Sequence, residues 1–226
     1  MFASVNRAVS GRLFELHVFI EQPPHWVRKI MANKAYWRIP TAPKVVYLTF
    51  DDGPTPEVTP WVLDLLDRYE IKATFFCVGD NVARYRNVFE EVKARGHMVG
   101  NHTMNHINAL NYHRRGYLAN VEKASALIGS VLFRPPHGWI RHRQARLLRR
   151  KYKIVMWDVV TRDYSNRQNA MQVVNNVKRY TRNGSIITFH DTSKSWHNLE
   201  LALPLSIEWL IEQGYEFRLL EPSILK

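Results

Sequence analysis

The stretch YLTFDDGPTP, Tyr47 to Pro56, runs from an apolar, β-rich segment into two adjacent aspartates and a Gly-Pro break. An extended chain sends neighbouring side chains to opposite faces, so consecutive carboxylates inside a strand are driven apart. At a strand end, where the chain starts to turn, both can instead reach one cleft by different routes. Two carboxylates side by side repel and are costly to bury. Their presence there poses the question of whether they share one task or divide two.

Working outward from Val45, short apolar runs alternate with amphipathic stretches. The runs are VVYLTF (45–50), ATFFCVG (73–79), HMVG (97–100), LFR (132–134), IVMWDVV (154–160), SIITFH (185–190) and YEFRLL (215–220). Between them, helical spacing of apolar residues predicts helices over 60–70, 82–96, 117–129, 169–182 and 199–214. Gly96 and Gly129 stand where helix-ending glycines belong, and Pro204 predicts a kink or a start within the last helix. Seven strands alternating with helices predict a parallel α/β architecture, either an incomplete (β/α) barrel or a doubly wound sheet. In both, chemistry belongs at the carboxyl ends of the strands.

Residues 1–40 read separately, as an extension packing on a main domain over 41–226. A short helix is predicted around Ser10 to Ile20, followed by an irregular strap through EQPPHWVRKIMANKAYWRIP.

The polar residues obey the strand-end rule. Asp51 and Asp52 follow the first run, NHTMNH (Asn101–His106) the third and RPPHG (Arg134–Gly138) the fourth. Asp158 and Asp163 close the fifth, and His190 and Asp191 end the sixth. His102 and His106, four apart, fall on one side of a helical turn and can grip one metal ion. An aspartate from a neighbouring strand end supplies a third ligand. Two histidines and one carboxylate leave positions open for water and substrate, the layout of a catalytic metal site. Thr103 either hydrogen-bonds a ligand or caps the turn. Arg134 has the task of stabilising an ionised carboxylate. The following Pro135-Pro136 stiffens a loop whose backbone N–H can serve as an oxyanion donor. Asp163 is suited to orient His190. His97, at the start of its strand, reads as structural, and Cys77 as a buried, inert thiol.

Composition excludes other classes. The chain has 226 residues, 46% hydrophobic and 23% charged, room for one sizeable core. No apolar run is long enough to span a membrane and no signal-peptide core is readable, so the expected location is cytoplasmic by default, with the cell envelope as the alternative. One cysteine excludes an internal disulfide and a cysteine-built zinc site. The net charge of +12, concentrated in RHRQARLLRRKYK (141–153) on what reads as an exposed helix, suits peripheral contact with anionic envelope polymers or a membrane surface. No nucleic-acid-binding signature accompanies it.

TFDDGP, HTMNH, RPPHG, the WDVVTRDY region and ITFHD, in this order, closely resemble the five motifs of the polysaccharide deacetylase family, carbohydrate esterase family four. The resemblance covers Val45 to the C-terminus and implies a distorted, incomplete (β/α) barrel of about seven parallel strands. It implies Asp51 as the catalytic base and Asp52, His102 and His106 as ligands of a divalent transition metal, zinc foremost, with cobalt, nickel or manganese as alternatives. It further implies His190 as the acid that protonates the departing amine, Arg134 and Asp163 as partners of Asp51 and His190, and the His137 backbone N–H as an oxyanion donor. The implied activity is removal of N-acetyl groups from amino-sugar polymers or oligomers, peptidoglycan of the bacterial cell wall or chitin-like. A small or lipid-linked N-acetylated sugar is an alternative substrate, and a non-catalytic carbohydrate-binding member of the fold an alternative function. Three departures bear on the acyl pocket: His137 in place of a tyrosine, Asp163-Tyr164 in place of Asp-Trp, and Thr188 in place of an aliphatic residue. With Pro136, these residues are expected to line the substrate pocket.

Overall fold

The computed structural model describes residues 21–32 and 34–225; the helix expected around Ser10 to Ile20 lies outside them. Eight strands are present: β1 (Val45–Asp51), β2 (Thr74–Cys77), β3 (Met98–Asn101), β4 (Leu132–Phe133), β5 (Lys153–Ile154), β6 (Val159–Val160), β7 (Ser185–His190) and β8 (Glu216–Phe217). The helices are α1 (His25–Ala32), α2 (Thr59–Arg68), α3 (Gly79–Arg84), α4 (Arg86–Ala94), α5 (Arg114–Ile128), α6 (His142–Leu148), α7 (Ala170–Tyr180) and α8 (Trp196–Glu212).

The strand order is β5-β4-β3-β2-β1-β7-β6, with β8 added against the start of β1. Every strand pairing is parallel. β1 lies at the centre, and all seven of its residues are buried. That agrees with its continuous apolar run, since a parallel strand covered on both faces shows no alternation. The helices cover the sheet, and Phe50, Phe75 and Phe189 stack within the main core under α2, α7 and α8. This is the distorted, incomplete barrel that the motifs implied.

The run IVMWDVV, read as one strand, is two. β5 and β6 flank it and lie on opposite edges of the sheet. The residues between them cross the open side of the half-barrel: Val155 N–H donates to the Phe133 carbonyl (2.8 Å) and Asp158 N–H to that of Ile186 (2.9 Å). Asp158 therefore does not join the polar residues at the strand carboxyl ends. It is fully buried at the opposite end, beside Ser185 at the start of β7, and accepts from Ser185 (2.7 Å), Arg28 (2.6 Å) and Arg182 (2.8 and 3.0 Å).

The strap expected to be irregular contains α1. Val27, Met31 and Ala32 bury one side of it against Trp37, Phe133, Ile140 and Ile154, and Arg28 ties it to Asp158. Tertiary packing makes this helix, which is why the strap's weak periodicity did not show it. Tyr36 then bridges to Val155, just after β5, and Arg38 to Ser185 at the start of β7, so the strap links the crossing segment to the other half of the sheet.

Other boundaries also shift. The 82–96 stretch holds two helices, α3 and α4, broken at Tyr85. α8 starts at Trp196 and runs through Pro204. α6 forms within the basic run but buries Gln144, Ala145 and Leu148, so only part of it is exposed. Among the described residues no helix is long and apolar enough to cross a membrane.

Candidate metal and acid–base site

The Asp pair sits where β1 ends. Asp51 completes the strand, at register with His190 on β7. Asp52 takes a left-handed conformation (φ 78°), which costs a non-glycine residue energy and redirects its side chain. The turn is clamped from several sides. Gly53 N–H donates to Asp191 Oδ1 (3.1 Å), the Thr59 hydroxyl to Asp191 Oδ2 (2.6 Å), and Asn81 Nδ2 to the Asp52 carbonyl (2.8 Å). A Cβ on Gly53 would lie 2.0 Å from Asp191 Oδ2, so only glycine fits. Burial, with the nearby Asp52 charge, pushes the Asp191 carboxyl up to about 7. In the sequence Asp191 stands out only as the neighbour of His190; in the fold it holds the turn that presents both aspartates.

The two carboxylates part company at once. Asp51 is buried and pairs with Arg134 (Nη1 to Oδ1, 2.6 Å). Asp52, with 30% of its side chain exposed, meets His102 Nε2 at 3.3 Å and His106 Nε2 at 3.0 Å. Burial alone would raise the Asp52 carboxyl, but its hydrogen bonds to the two histidines outweigh that and hold it well below the usual carboxylate range.

His102 and His106 do not share a helical turn. HTMNH is a loop in which Thr103 (φ 66°) and His106 (φ 50°) are both left-handed. Asn101, at the end of β3, accepts from Thr103 N–H (2.8 Å) and anchors to α5 through the Val121 carbonyl (2.9 Å). The Thr103 hydroxyl accepts from Ile107 N–H (3.2 Å), so Thr103 caps the loop that carries His106 and does not support a ligand directly. His102 Nδ1 lies 2.8 Å from the Arg134 carbonyl. A carbonyl only accepts, so Nδ1 is held as a donor, and Nε2, which faces Asp52, is the nitrogen a cation would take in place of a proton.

Asp52, His102 and His106 bring ligand atoms within 4.8 Å of one another. The donor set of two imidazole nitrogens and a carboxylate oxygen, with one imidazole fixed in the ligating tautomer, fits a divalent transition metal.

Arg134 is fully buried inside the barrel, its guanidinium 4.0 Å from the Phe76 ring centre. It donates to Asp51, to the Thr49 and Thr188 hydroxyls (2.9 and 3.1 Å) and to the Val155 and Met156 carbonyls (3.3 and 2.9 Å). Thr49 and Thr188 are themselves paired across β1 and β7, two residues below Asp51 and His190. Thr188 therefore belongs to a polar layer beneath Asp51 and does not line a substrate pocket. Alternation along β1 puts Thr49 on the side of Asp51, a signal that could have revealed this layer from the sequence.

Asp163 holds His190 twice, accepting from its backbone N–H (2.7 Å) and meeting Nδ1 at 2.8 Å. Burial pulls the imidazole down, but Asp163 first, then Asp52 and Asp51, push it up to about 9. The Tyr164 ring stands edge-on to His190 (4.7 Å between centres). At the other side of the cleft the exposed His137 ring, on a left-handed residue (φ 59°), stands 4.7 Å from His106. Pro136 is buried behind it. His97 is structural as expected: Nδ1 accepts from Ala73 N–H (3.1 Å), and burial lowers the ring to about 4. Cys77 is buried and its thiol raised well above the usual range by burial.

Comparison with known proteins supports the motif reading. Residues 38–155 match the polysaccharide deacetylase family. A peptidoglycan-N-acetylglucosamine deacetylase of Bacillus cereus is 34% identical over 201 residues, 84% of this chain and 94% of that protein. A chitooligosaccharide deacetylase of Bradyrhizobium is 36% identical over 154 residues, 65% of this chain and 70% of that protein. The crystal structure of the Bc1960 peptidoglycan N-acetylglucosamine deacetylase superposes with a TM-score of 0.80 at 31% identity, covering 90% of this chain and 97% of that one.

Proposed function

Because the chain belongs to the polysaccharide deacetylase family, we propose that it hydrolyses N-acetyl groups from amino-sugar polymers, with peptidoglycan as the foremost substrate and chitin-like oligomers as the second. The observation that carries the mechanism is the separation of the Asp pair: Asp52 faces two histidines while Asp51 faces Arg134.

Asp52, His102 and His106 are assigned as the metal ligands, with zinc first among the metals because a two-histidine, one-carboxylate set with open positions suits it. When bound, such a cation supplies Lewis acidity and makes a water molecule nucleophilic at neutral pH. Asp51 is assigned as the base. Arg134 occupies its Oδ1, and among the described residues nothing donates to Oδ2, which is left to take the proton. His190, charged below about pH 9 and held by Asp163, is assigned as the acid that protonates the departing amine. Tyr164 and His137 flank the acid and the metal ligands, and the His137 backbone N–H is assigned as oxyanion donor on a loop stiffened by Pro135 and Pro136.

The test is acetate release by zinc-loaded protein from peptidoglycan strands and N-acetylglucosamine oligomers. Turnover is expected in the native chain and its loss in Asp51→Asn with metal retained. Absence of acetate from every N-acetylated glycan would reject the assignment.

A further inference from the structure

Beyond the cleft lies a second concave feature, a groove of about 1030 Å³ between the loop leading into α5 and the segment leading into α6. Four arginines line it, Arg114 and Arg115 on one wall and Arg141 and Arg143 on the other, and all are exposed. No carboxylate is among its lining residues, and none of the described carboxylates pairs with any of the four. Tyr112 and Trp139 add aromatic surface between the charges.

The groove is built. The buried Gln144 side chain donates from one wall to the Ala109 and Tyr112 carbonyls of the other (3.2 and 3.3 Å) and accepts from Arg141 N–H (3.0 Å). Both of its walls are continuous in sequence with the candidate site. The loop carrying His106 runs on to Leu110 and Tyr112, and His137, whose ring meets His106, is two residues before Trp139. The segments that carry His106 and His137 thus also carry the cations and aromatic rings of the groove.

We propose that this groove is an extended subsite for a glycan strand that carries carboxylates, and that it selects such strands over neutral ones. This rests on the deacetylase reading. Arginine recognises carboxylates with paired, directional hydrogen bonds, and uncompensated cations in a concave site attract an anionic chain before contact. The aromatic rings offer flat apolar surface to sugar faces.

Two measurements decide it. Binding of carboxylate-bearing peptidoglycan strands and of neutral chitin oligomers of equal length is measured on the Asp51→Asn protein, with and without Arg114→Gln and Arg143→Gln. The same pair of substitutions is then assayed for kcat/KM in the otherwise native chain. The double substitution is expected to weaken binding of carboxylate-bearing strands and to lower their kcat/KM by about tenfold, equivalent to about 1.4 kcal/mol. Neutral oligomers should be unaffected. High salt should erase the native preference. Equal treatment of both glycans by the native protein would overturn the proposal, as would identical losses on both in the variant. Variant-sensitive binding to phosphatidylglycerol vesicles without effect on either glycan would also overturn it, reassigning the groove to a lipid surface. If no glycan releases acetate, the deacetylase reading fails separately, while the binding arm still decides the groove.

Discussion

Two buried aspartates, Asp51 at the carboxyl end of the sheet and Asp158 at the other, both meet arginine, yet they are engaged very differently. Asp158 is saturated: Oδ1 accepts from Arg28 and Arg182, and Oδ2 from Arg182 and Ser185. Those hydrogen bonds outweigh its burial and lower its carboxyl below the usual range. It joins α1, the crossing segment and β7, and nothing is left over for chemistry. Asp51 has one oxygen held by Arg134, and among the described residues nothing donates to the other. Saturation suits a structural carboxylate; a half-filled hydrogen-bond shell at a strand end suits the base role proposed for Asp51.

The sharpest way to break the comparison is to remove each charge in turn. Asp51→Asn should cost at least about 10³-fold in kcat, since it deletes the base, while leaving melting temperature and bound zinc nearly unchanged. Parallel acetate-release, calorimetry and metal analysis check all three. His102→Ala comes next: zinc affinity should fall by more than about 10²-fold, because a ligand is worth more than the orienting groups whose loss costs 10–100-fold. Dialysis followed by metal analysis reads it, and equal zinc loss in Asp51→Asn would show that the two aspartates do not divide the work.

Asp158→Asn should do the reverse of Asp51→Asn. Leaving Arg28 short of a partner should destabilise by about 2–3 kcal/mol, below the 3–5 of a fully buried pair because Arg182 is half-exposed. Thermal unfolding should then move down by roughly 5–10 °C in a chain of this size, with kcat per folded molecule unchanged. A loss of kcat at constant stability would place Asp158 in the chemistry and undo the contrast.

The smallest effect concerns His190. Its folded pKa, raised to about 9, keeps it protonated at neutral pH, so the acid role proposed for it should be available below that value and lost as pH rises through it. The same shift stabilises the fold: the contribution is complete below the unfolded value of about 6.5 and fades as pH passes 9. A cation beside Asp52 opposes one of the raising charges, so the alkaline limb of kcat/KM should fall at or below pH 9. Asp163→Asn removes the leading one and should move that limb further down. An unmoved limb would remove His190 from the acid role.

Much of this is legible in the sequence. β1 and β7 show as unbroken apolar runs because a central parallel strand is buried on both faces, and each ends in its functional residue. The Asp52, His102 and His106 cluster, Arg134 and the His190–Asp163 pair follow from the strand-end rule and the family motifs. What stayed hidden depends on contacts distant in sequence. IVMWDVV, apolar but for Asp158, crosses a buried gap, and such a run does not say whether it is a strand or a crossing. Thr188 drew attention as a departure at the pocket, yet its hydroxyl faces Thr49 and Arg134 below it. Left-handed Thr103 and His106 defeat any spacing argument that assumes a regular turn.

Arg134 carries a last consequence. One guanidinium reaches the base above, the two threonines below and the carbonyls of the segment that closes the barrel's open side. The tuning of the site and the completion of the barrel are thus written into a single codon. A substitution at position 134 would therefore disturb the partner of Asp51 and the closure of the sheet together. The fold's least sheet-like side and its candidate site answer to one side chain.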